Sequence, residues 1–254
     1  MTDMPLTPFQ LVNMLLVVML LFFSFKLFEQ KWSYKISKPH SWDEAVKNGS
    51  VSKALLKIER KYRDKVRFYT FWLQMERIKA SKTPGAFAEL GVYRGETAKI
   101  IHELNPERNL HLFDTFDGFR QVDLSIEETK EGKYNTSNFS DTDLDKVKKY
   151  IDGNGHVKFH PGYFPDSVAG LNETTYAFVH LDADLYQPTI SALNYFYPKL
   201  SPGGVIIIHD YNNSWDGVRK AVDEFSLTIP ETFVEIADWQ GSAMIVKNSS
   251  LQIK

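Results

Sequence analysis

The most constraining feature of this 254-residue sequence is an apolar run that ends in two closely spaced carboxylates. Residues 176–186 begin with apolar and β-branched side chains typical of a buried strand, and Asp182 and Asp184 follow directly. A second apolar run, residues 203–210, also ends in an acid, Asp210. Carboxylates are costly to bury, and the carboxyl ends of neighbouring parallel strands line the ligand crevice of an open sheet. We therefore expect the three aspartates to converge on a polar ligand or a metal.

Composition excludes several classes of protein. A formal net charge of −2 and the lack of a basic stripe give no electrostatic case for a nucleic-acid partner. The sequence contains no cysteine, which excludes disulfides, thiolate metal sites and cysteine nucleophiles. The chain is long enough for one α/β domain with an additional segment.

The additional segment is N-terminal, where residues 9–28 form a nearly continuous apolar run. About 20 helical residues span the hydrocarbon layer of a bilayer. A cleaved signal peptide is disfavoured because the preceding arm has no Lys or Arg and the run ends in bulky side chains. A buried helix is disfavoured because no polar face is present. Residues 1–30 are therefore predicted to be a single-pass membrane anchor.

Membrane topology is predicted from the charges that follow the anchor. Lysines after the apolar run favour a cytoplasmic catalytic part by the positive-inside rule. Asn-x-Ser/Thr sequons would favour a lumenal location, although such triplets are common by chance. The lysines are Lys26, Lys31, Lys35 and Lys38, and the sequons include Asn48, Asn135 and Asn212.

Residues 31–80 are predicted to form a polar connector followed by helices. Ser41 is a candidate helix cap, and residues 52–80 have an amphipathic helical pattern. We expect these helices to cover one edge of the sheet or to form part of a lid or a dimer contact. Homo-oligomerisation is therefore an open alternative.

A glycine loop and a following acid predict a nucleoside-containing ligand. Residues 86–90 read as the first strand, Gly91 and Gly95 allow a tight turn and close backbone approach, and a helix follows. The Gly-x-x-x-Gly spacing matches neither the Gly-x-Gly-x-x-Gly dinucleotide pattern nor a P-loop. Asp114 lies at the tip of the second strand, residues 109–113, where an acid can bind ribose hydroxyls.

The remaining elements predict one three-layer α/β/α domain over residues 81–254, preceded by the N-terminal helices and the transmembrane helix. Its sheet is Rossmann-like, mostly parallel and seven-stranded, and an antiparallel hairpin closes it. Ser140 or Asp141 is a candidate cap for a helix that runs to about residue 151. The later strands are placed at 157–160, 232–237 and 242–247, with a turn at 201–204 and helices at 188–200 and 215–227.

Residues 86–246 resemble a class I S-adenosylmethionine-dependent methyltransferase, and more narrowly the macrocin O-methyltransferase family. Each matching motif is short, but their order and spacing together are specific. The motifs are ELGVYRG at 89–95, DTFDG at 114–118, PGYF at 161–164, LDADLY at 181–186 and YPKLSPGG at 197–204.

The resemblance implies roles for individual residues. Asp184 would be the general base and Asp182 a ligand of magnesium. The family usually has two adjacent acids after the next strand, where this sequence has His209 and Asp210. Imidazole suits zinc or iron better than magnesium, which prefers oxygen, although Asp182, Asp210 and waters could still hold a magnesium ion. The candidate metal ligands are therefore Asp182, Asp210 and His209. The implied S-adenosylmethionine-binding residues are Glu89, Leu90, Gly91, Val92, Tyr93, Gly95, Asp114, Thr115, Phe116 and Gly118.

The sequence thus predicts an O-methyltransferase that acts on a hydroxyl of a sugar, polyol or glycosylated natural product, with a divalent metal as a candidate aid. His180 and His209 are alternative bases. Two other functions stay open: a glycosyltransferase that uses 182–184 as an Asp-x-Asp motif, and a non-catalytic protein of the same fold. Candidate aromatic residues for a substrate wall are Tyr186, Tyr211, Trp215 and Trp239.

Overall fold

The computed structural model describes residues 7–33, 38–127, 134–173, 175–213 and 216–248. It divides into two units, Met1–Glu44 and Ala45–Lys254, and each is described by itself.

The first unit is dominated by one helix, α1, over Pro8–Ser33. Its segment Pro8–Glu29 has a mean hydropathy of 2.3 and no buried side chain, so its length and composition are sufficient to cross a membrane. Helix α2 spans His40–Lys47. Ser41 therefore lies inside α2, and its prediction as the cap is wrong because the helix begins one residue earlier. Lys35 lies outside the described residues.

Two helices, not one continuous helix, form from the amphipathic stretch that precedes the sheet. Helix α3 spans Lys53–Lys61 and helix α4 spans Lys65–Ala80. The Ser52 side chain accepts a hydrogen bond from a backbone N–H in the first turn of α3, and Asp64 does the same for α4. Such caps satisfy N–H groups that have no partner within the helix.

The second unit contains a seven-stranded sheet of order β3-β2-β1-β4-β5-β7-β6. The first five strands are parallel, and β7 pairs antiparallel with both β5 and β6, which confirms the predicted sheet and closing hairpin. The central strands β1 and β4 are buried at every position. The strands are β1 (Ala86–Leu90), β2 (Leu110–Asp114), β3 (Val157–Pro161), β4 (Tyr176–Leu181), β5 (Leu200–Ile208), β6 (Val234–Ile236) and β7 (Ser242–Val246).

One predicted turn is instead part of a strand. Residues 201–204 lie inside β5, where the pairing with β4 jumps from Tyr176↔Leu200 to Phe178↔Val205. The extra residues on β5 form a bulge, which accommodates the glycines without ending the strand.

The connecting helices cover the faces of the sheet. The cap of α7 is Asp143, so the prediction of Ser140 or Asp141 is wrong by two or three residues. Asp143 caps the helix because its side chain accepts a hydrogen bond from the Lys146 N–H. The helices are α5 (Glu96–Leu104), α6 (Gln121–Leu124), α7 (Leu144–Ile151), α8 (Tyr186–Lys199) and α9 (Asp216–Ser226), with a short 3₁₀ turn at Asp166–Val168.

Candidate active site

A cavity of about 470 Å³ lies beyond the carboxyl ends of β1, β2, β4 and β5. This volume is within the range of small-molecule sites. Most of the residues predicted for cofactor, metal and catalysis line it together, as expected for the crevice of an open parallel sheet. Those residues are Leu90, Gly91, Val92, Tyr93, Asp114, Thr115, Gly118, Asp182, Asp184, His209 and Asp210.

The glycine loop is shaped by close contact between the ends of β1 and β4. Gly91 has φ +86°, and a Cβ atom there would lie 1.9 Å from the backbone oxygen of Asp182. The Asp182 N–H donates to the Leu90 carbonyl at 2.8 Å, so the two segments are tied together at this point. No side chain fits between them, which explains why glycine is needed.

Asp114 organises the glycine loop from the tip of β2. Its Oδ2 accepts hydrogen bonds from the backbone N–H groups of Val92 at 2.7 Å and Tyr93 at 2.8 Å. Its Oδ1 accepts one from the Phe116 N–H at 2.6 Å. A carboxylate oxygen can accept two hydrogen bonds, so Oδ1 retains the capacity to accept one from a ribose hydroxyl.

Three of the predicted cofactor residues do not line the cavity. Glu89 is fully buried and accepts a hydrogen bond from His180 Nδ1 at 2.7 Å, because the alternation along β1 turns its side chain away from the crevice. Gly95 instead begins α5 with φ +81°, and a Cβ there would press on Val147 and Ile151 of α7. Phe116 contributes its backbone N–H to Asp114.

The pairing with Glu89 also places His180 away from the cavity. Both side chains have no exposed surface, so His180 does not reach a substrate hydroxyl as a base. Burial raises the pKa of Glu89, and the hydrogen bond from His180 partly opposes that effect.

At the acidic end of the cavity, formed by residues that follow β4 and β5, Asp182 is bound to His209. His209 Nδ1 lies 2.7 Å from Asp182 Oδ1 and 3.3 Å from Asp210 Oδ1. Burial acts to raise the pKa of Asp182, but the charge of His209 and its hydrogen bond outweigh burial and lower that pKa. For His209, burial acts to lower the pKa, and Asp182 outweighs burial and raises it to about 9.

Asp184 and Asp210 form a second pair. Burial, followed by the charge of Asp182, raises the pKa of Asp210, whose Oδ1 also accepts a hydrogen bond from Asn213 at 3.3 Å. Burial, followed by the charges of Asp182 and Asp210, raises the pKa of Asp184 well above its ordinary value. Both residues have positive φ, +60° and +64°, a conformation that aspartate tolerates better than most side chains. Burial and neighbouring charges therefore favour the protonated form of both carboxyls more than in a free aspartic acid.

Arg67, from the first turn of α4, reaches into the same site and was not predicted from sequence. Its guanidinium contacts His209 Nε2, donates to the Trp239 carbonyl at 2.9 Å and donates through Nε to Asp238 Oδ2 at 3.2 Å. The side chain is 9% exposed. The local sequence signal that points toward Arg67 is the cap residue Asp64, because it fixes where α4 begins and so where Arg67 lies.

These contacts bear on whether a magnesium ion fits the site. Ligand atoms of Asp182, His209 and Asp210 all lie within 4.8 Å of one another, as a shared metal would require. However, Nδ1 is the His209 nitrogen that faces the acids, and it carries the proton donated to Asp182. Nε2 of the same ring lies between the Trp239 carbonyl and the permanently charged Arg67, so the ring is held with its Nδ1–H toward the acids. Magnesium also prefers oxygen ligands, so these residues as arranged do not fit it.

The aromatic wall differs from the predicted one. Tyr186 and Tyr211 do not line the cavity, and their hydroxyls donate instead to acids of α9. Trp239 is 74% exposed, and Trp215 lies outside the described residues. The predicted wall is therefore wrong for its described members. The aromatic residues that do line the cavity are Tyr62, Tyr93, Phe119, Phe139, Tyr163 and Phe164.

The sheet order and the crevice define a Rossmann-like methyltransferase fold. The solved O-methyltransferase NovP matches 72% of this chain and 80% of its own, with a TM-score of 0.62 and 24% identity. The O-methyltransferase TomG of Streptomyces achromogenes, solved in complex with S-adenosylmethionine, matches 86% of this chain and 94% of its own, with a TM-score of 0.51 and 12% identity.

Sequence comparison identifies the family. The profile described as Macrocin-O-methyltransferase (TylF) matches residues 62–228, more than half of the chain, and the chain belongs to that family. A Streptomyces olivaceus relative, the 8-demethyl-8-(2,3-dimethoxy-alpha-L-rhamnosyl)-tetracenomycin-C 4'-O-methyltransferase, is 30% identical over 162 residues. That alignment covers 59% of this chain, and the chain spans 61% of the relative's length.

Proposed function

We propose that this protein is an S-adenosylmethionine-dependent O-methyltransferase that acts on a hydroxyl of a sugar, polyol or glycosylated natural product. The observation that carries the proposal is the convergence of the glycine loop, Asp114 and the Asp184–Asp210 pair on one cavity. Membership of the macrocin O-methyltransferase family supports a sugar-containing substrate. The name of the Streptomyces olivaceus relative, which includes a rhamnosyl group, supports the same class.

The cofactor half of the cavity is formed by the glycine loop and the β2 tip. Asp114 would accept a hydrogen bond from a ribose hydroxyl through Oδ1 while Oδ2 holds the loop. Thr115 and Gly118 continue this wall, and the Thr115 hydroxyl donates to the Gly118 carbonyl at 2.8 Å. The site is therefore ordered before the cofactor binds, which reduces the entropic cost of binding.

The acidic half supplies the base and positions the acceptor. Bound S-adenosylmethionine supplies an electrophilic methyl group, whose transfer forms a carbon–oxygen bond, breaks the carbon–sulfur bond and leaves a neutral thioether. The acceptor hydroxyl loses its proton to the ionised carboxylate of Asp184, whose raised pKa strengthens it as a base. Asp182, fixed by His209, would orient the hydroxyl, so the rate depends mainly on positioning.

The test of this function is cofactor binding by the full chain in detergent micelles. Calorimetric titration with S-adenosylhomocysteine should show saturable binding, and labelled S-adenosylmethionine should transfer its methyl group to a member of a panel of glycosides. Thermal protection by nucleotide diphosphates, without protection by S-adenosylhomocysteine, would overturn the proposal in favour of a glycosyltransferase. Binding of S-adenosylhomocysteine without turnover on any glycoside would favour a non-catalytic protein.

We also propose that Pro8–Glu29 anchors the protein in a membrane, with the catalytic unit in the cytoplasm. The support is the 22-residue length of this apolar segment and the lysines that follow it. Carbonate extraction should leave the chain in the membrane fraction, and exchanging Leu15 and Leu16 for arginine should release it. A C-terminal reporter active only outside the cytoplasm should stay inactive, and activity of that reporter would contradict the topology.

A further inference from the structure

We propose that Arg67 is the resident cation of the acidic site, in the electrostatic role that a divalent metal would otherwise have beside Asp182 and Asp210. This inference rests on the proposed function. It makes methyl transfer by this chain independent of divalent cations, in contrast to the magnesium ligation that the family resemblance implies.

Several independent contacts hold Arg67 in position. Asp64 caps α4 through the Arg67 N–H at 3.0 Å and also accepts the Trp239 N–H at 2.8 Å. This double contact ties the start of α4 to the turn before β7. Asp238, whose side chain is 1% exposed, then accepts from Arg67 Nε. The guanidinium is thus held from the α4 side and from the turn.

The positive charge of Arg67 is directed toward Asp182. The guanidinium nitrogen that contacts His209 Nε2 is the one that donates to the Trp239 carbonyl. His209 in turn donates through Nδ1 to Asp182. His209 Nε2 also lies 3.1 Å from the same Trp239 carbonyl, so the guanidinium and the imidazole meet directly behind Asp182, a carboxylate that lines the cavity. The charges of His209 and Arg67 both lower the pKa of Asp182, so the positive charge of the guanidinium acts on this carboxylate.

The arrangement of Arg67 and His209 excludes a metal ion bound between Asp182 and Asp210. His209 Nδ1 faces both acids, so a metal ion between Asp182 and Asp210 would meet its N–H group and not a lone pair. It would also lie close to a buried guanidinium that cannot lose its proton. Like charges in a poorly hydrated site repel strongly. His209, in the position where the family resemblance implies an acid, and Arg67 therefore act together against a bound cation.

The decisive measurement is Mn²⁺ binding, which does not depend on turnover. Electron paramagnetic resonance of free Mn²⁺ should show no saturable site in the wild-type full chain, nor in the control R60M, which removes an exposed arginine from α3. The double variant R67M/H209D removes the guanidinium and supplies an acid. It should bind Mn²⁺ at least about tenfold more tightly than the wild type.

Several outcomes would overturn the proposal. One is a saturable Mn²⁺ site in the wild type that R67M leaves unchanged, and another is a wild-type methyl-transfer rate that a chelator abolishes. S-adenosylhomocysteine binding is measured on the wild type and on every variant. A wild type that does not bind it would refute the proposed function and not the role of Arg67. Binding of S-adenosylhomocysteine by R67M/H209D also shows that the double variant is folded.

A second variant keeps the test informative if the double variant does not fold. R67A should lower kcat more than it raises KM, and added methylguanidinium should restore part of kcat. A purely structural role would give no rescue by a soluble cation, and that result would contradict the proposal. Rescue of R67A by Mn²⁺ with no rescue by methylguanidinium would also contradict it.

Discussion

The two ends of the cavity are built in different ways. The cofactor end is made of backbone: Gly91 brings β1 against β4, and Asp114 binds three N–H groups of its own and the neighbouring loop. The acidic end is made of side chains whose properties depend on partners far away in sequence, such as His209 with Arg67, 142 residues apart. The first end is set by local geometry and the second by long-range pairing, so substitutions should affect binding at one end and turnover at the other.

The largest effect is expected at the acidic end, from Asp184→Asn. The amide cannot accept the proton of the acceptor hydroxyl, so kcat should fall by about 10²- to 10⁴-fold. Affinity for S-adenosylhomocysteine should stay unchanged, because Asp184 acts on the acceptor. Stopped-time assays and calorimetry separate the two quantities.

The control for this prediction is Asp223→Asn, on the exposed face of α9 and outside the cavity lining. It removes the same charge and should leave kcat unchanged. If Asp184→Asn retained wild-type turnover, the base would have to be assigned elsewhere.

The next largest effect is expected at the cofactor end, from Gly91→Ala. The new Cβ would lie 1.9 Å from the Asp182 oxygen, and neither segment can move without breaking the hydrogen bond between them. We expect a loss of about 3 kcal/mol in the free energy of unfolding, which combines backbone strain with displacement of the loop. Denaturant titration measures it.

Gly155→Ala is a matched control for this loss. Gly155 has the same φ, +86°, but a Cβ there would meet no atom within 4 Å. Gly155→Ala should therefore lower the free energy of unfolding by only about 1 kcal/mol, from the strain of a positive φ. Equal losses in the two variants would show that the close approach of β1 and β4 is unimportant.

A smaller effect is expected from Asp114→Asn. The amide group must turn either an oxygen or an NH₂ toward the N–H groups of Val92 and Tyr93, and it leaves another contact unmatched in either case. Affinity for S-adenosylhomocysteine should fall about tenfold, with a smaller change in kcat. Asp117→Asn, exposed and outside the lining, should bind as the wild type does. Equal affinities in both variants would mean that Asp114 does not order the loop.

The contrast between the two ends also explains what could be predicted from the sequence. Strand periodicity and glycine spacing are local, so the sheet, the closing hairpin and most of the crevice residues were predicted. Glu89 was predicted to line the crevice because it begins the motif at 89–95. Side chains alternate along β1, and this alternation points Glu89 into the protein interior, toward His180. Arg67 was missed because no local pattern relates the start of α4 to a residue that follows β5. The aromatic wall was misplaced for the same reason, since Phe119 and Phe139 come from an irregular segment.

The smallest effect is expected below the crevice, from Glu89→Gln. Burial raises the pKa of Glu89, so between the unfolded value near 4.5 and the raised value the folded state binds more protons than the unfolded state. The contribution of Glu89 to stability is therefore fully present below the unfolded pKa and is lost as pH rises through the folded pKa. Glutamine does not titrate, so the melting temperature of the variant relative to the wild type should increase with pH. A difference of about 1 kcal/mol corresponds to about 2–4 °C for a chain of this size. A difference that stays constant with pH would mean that burial does not govern the protonation of Glu89.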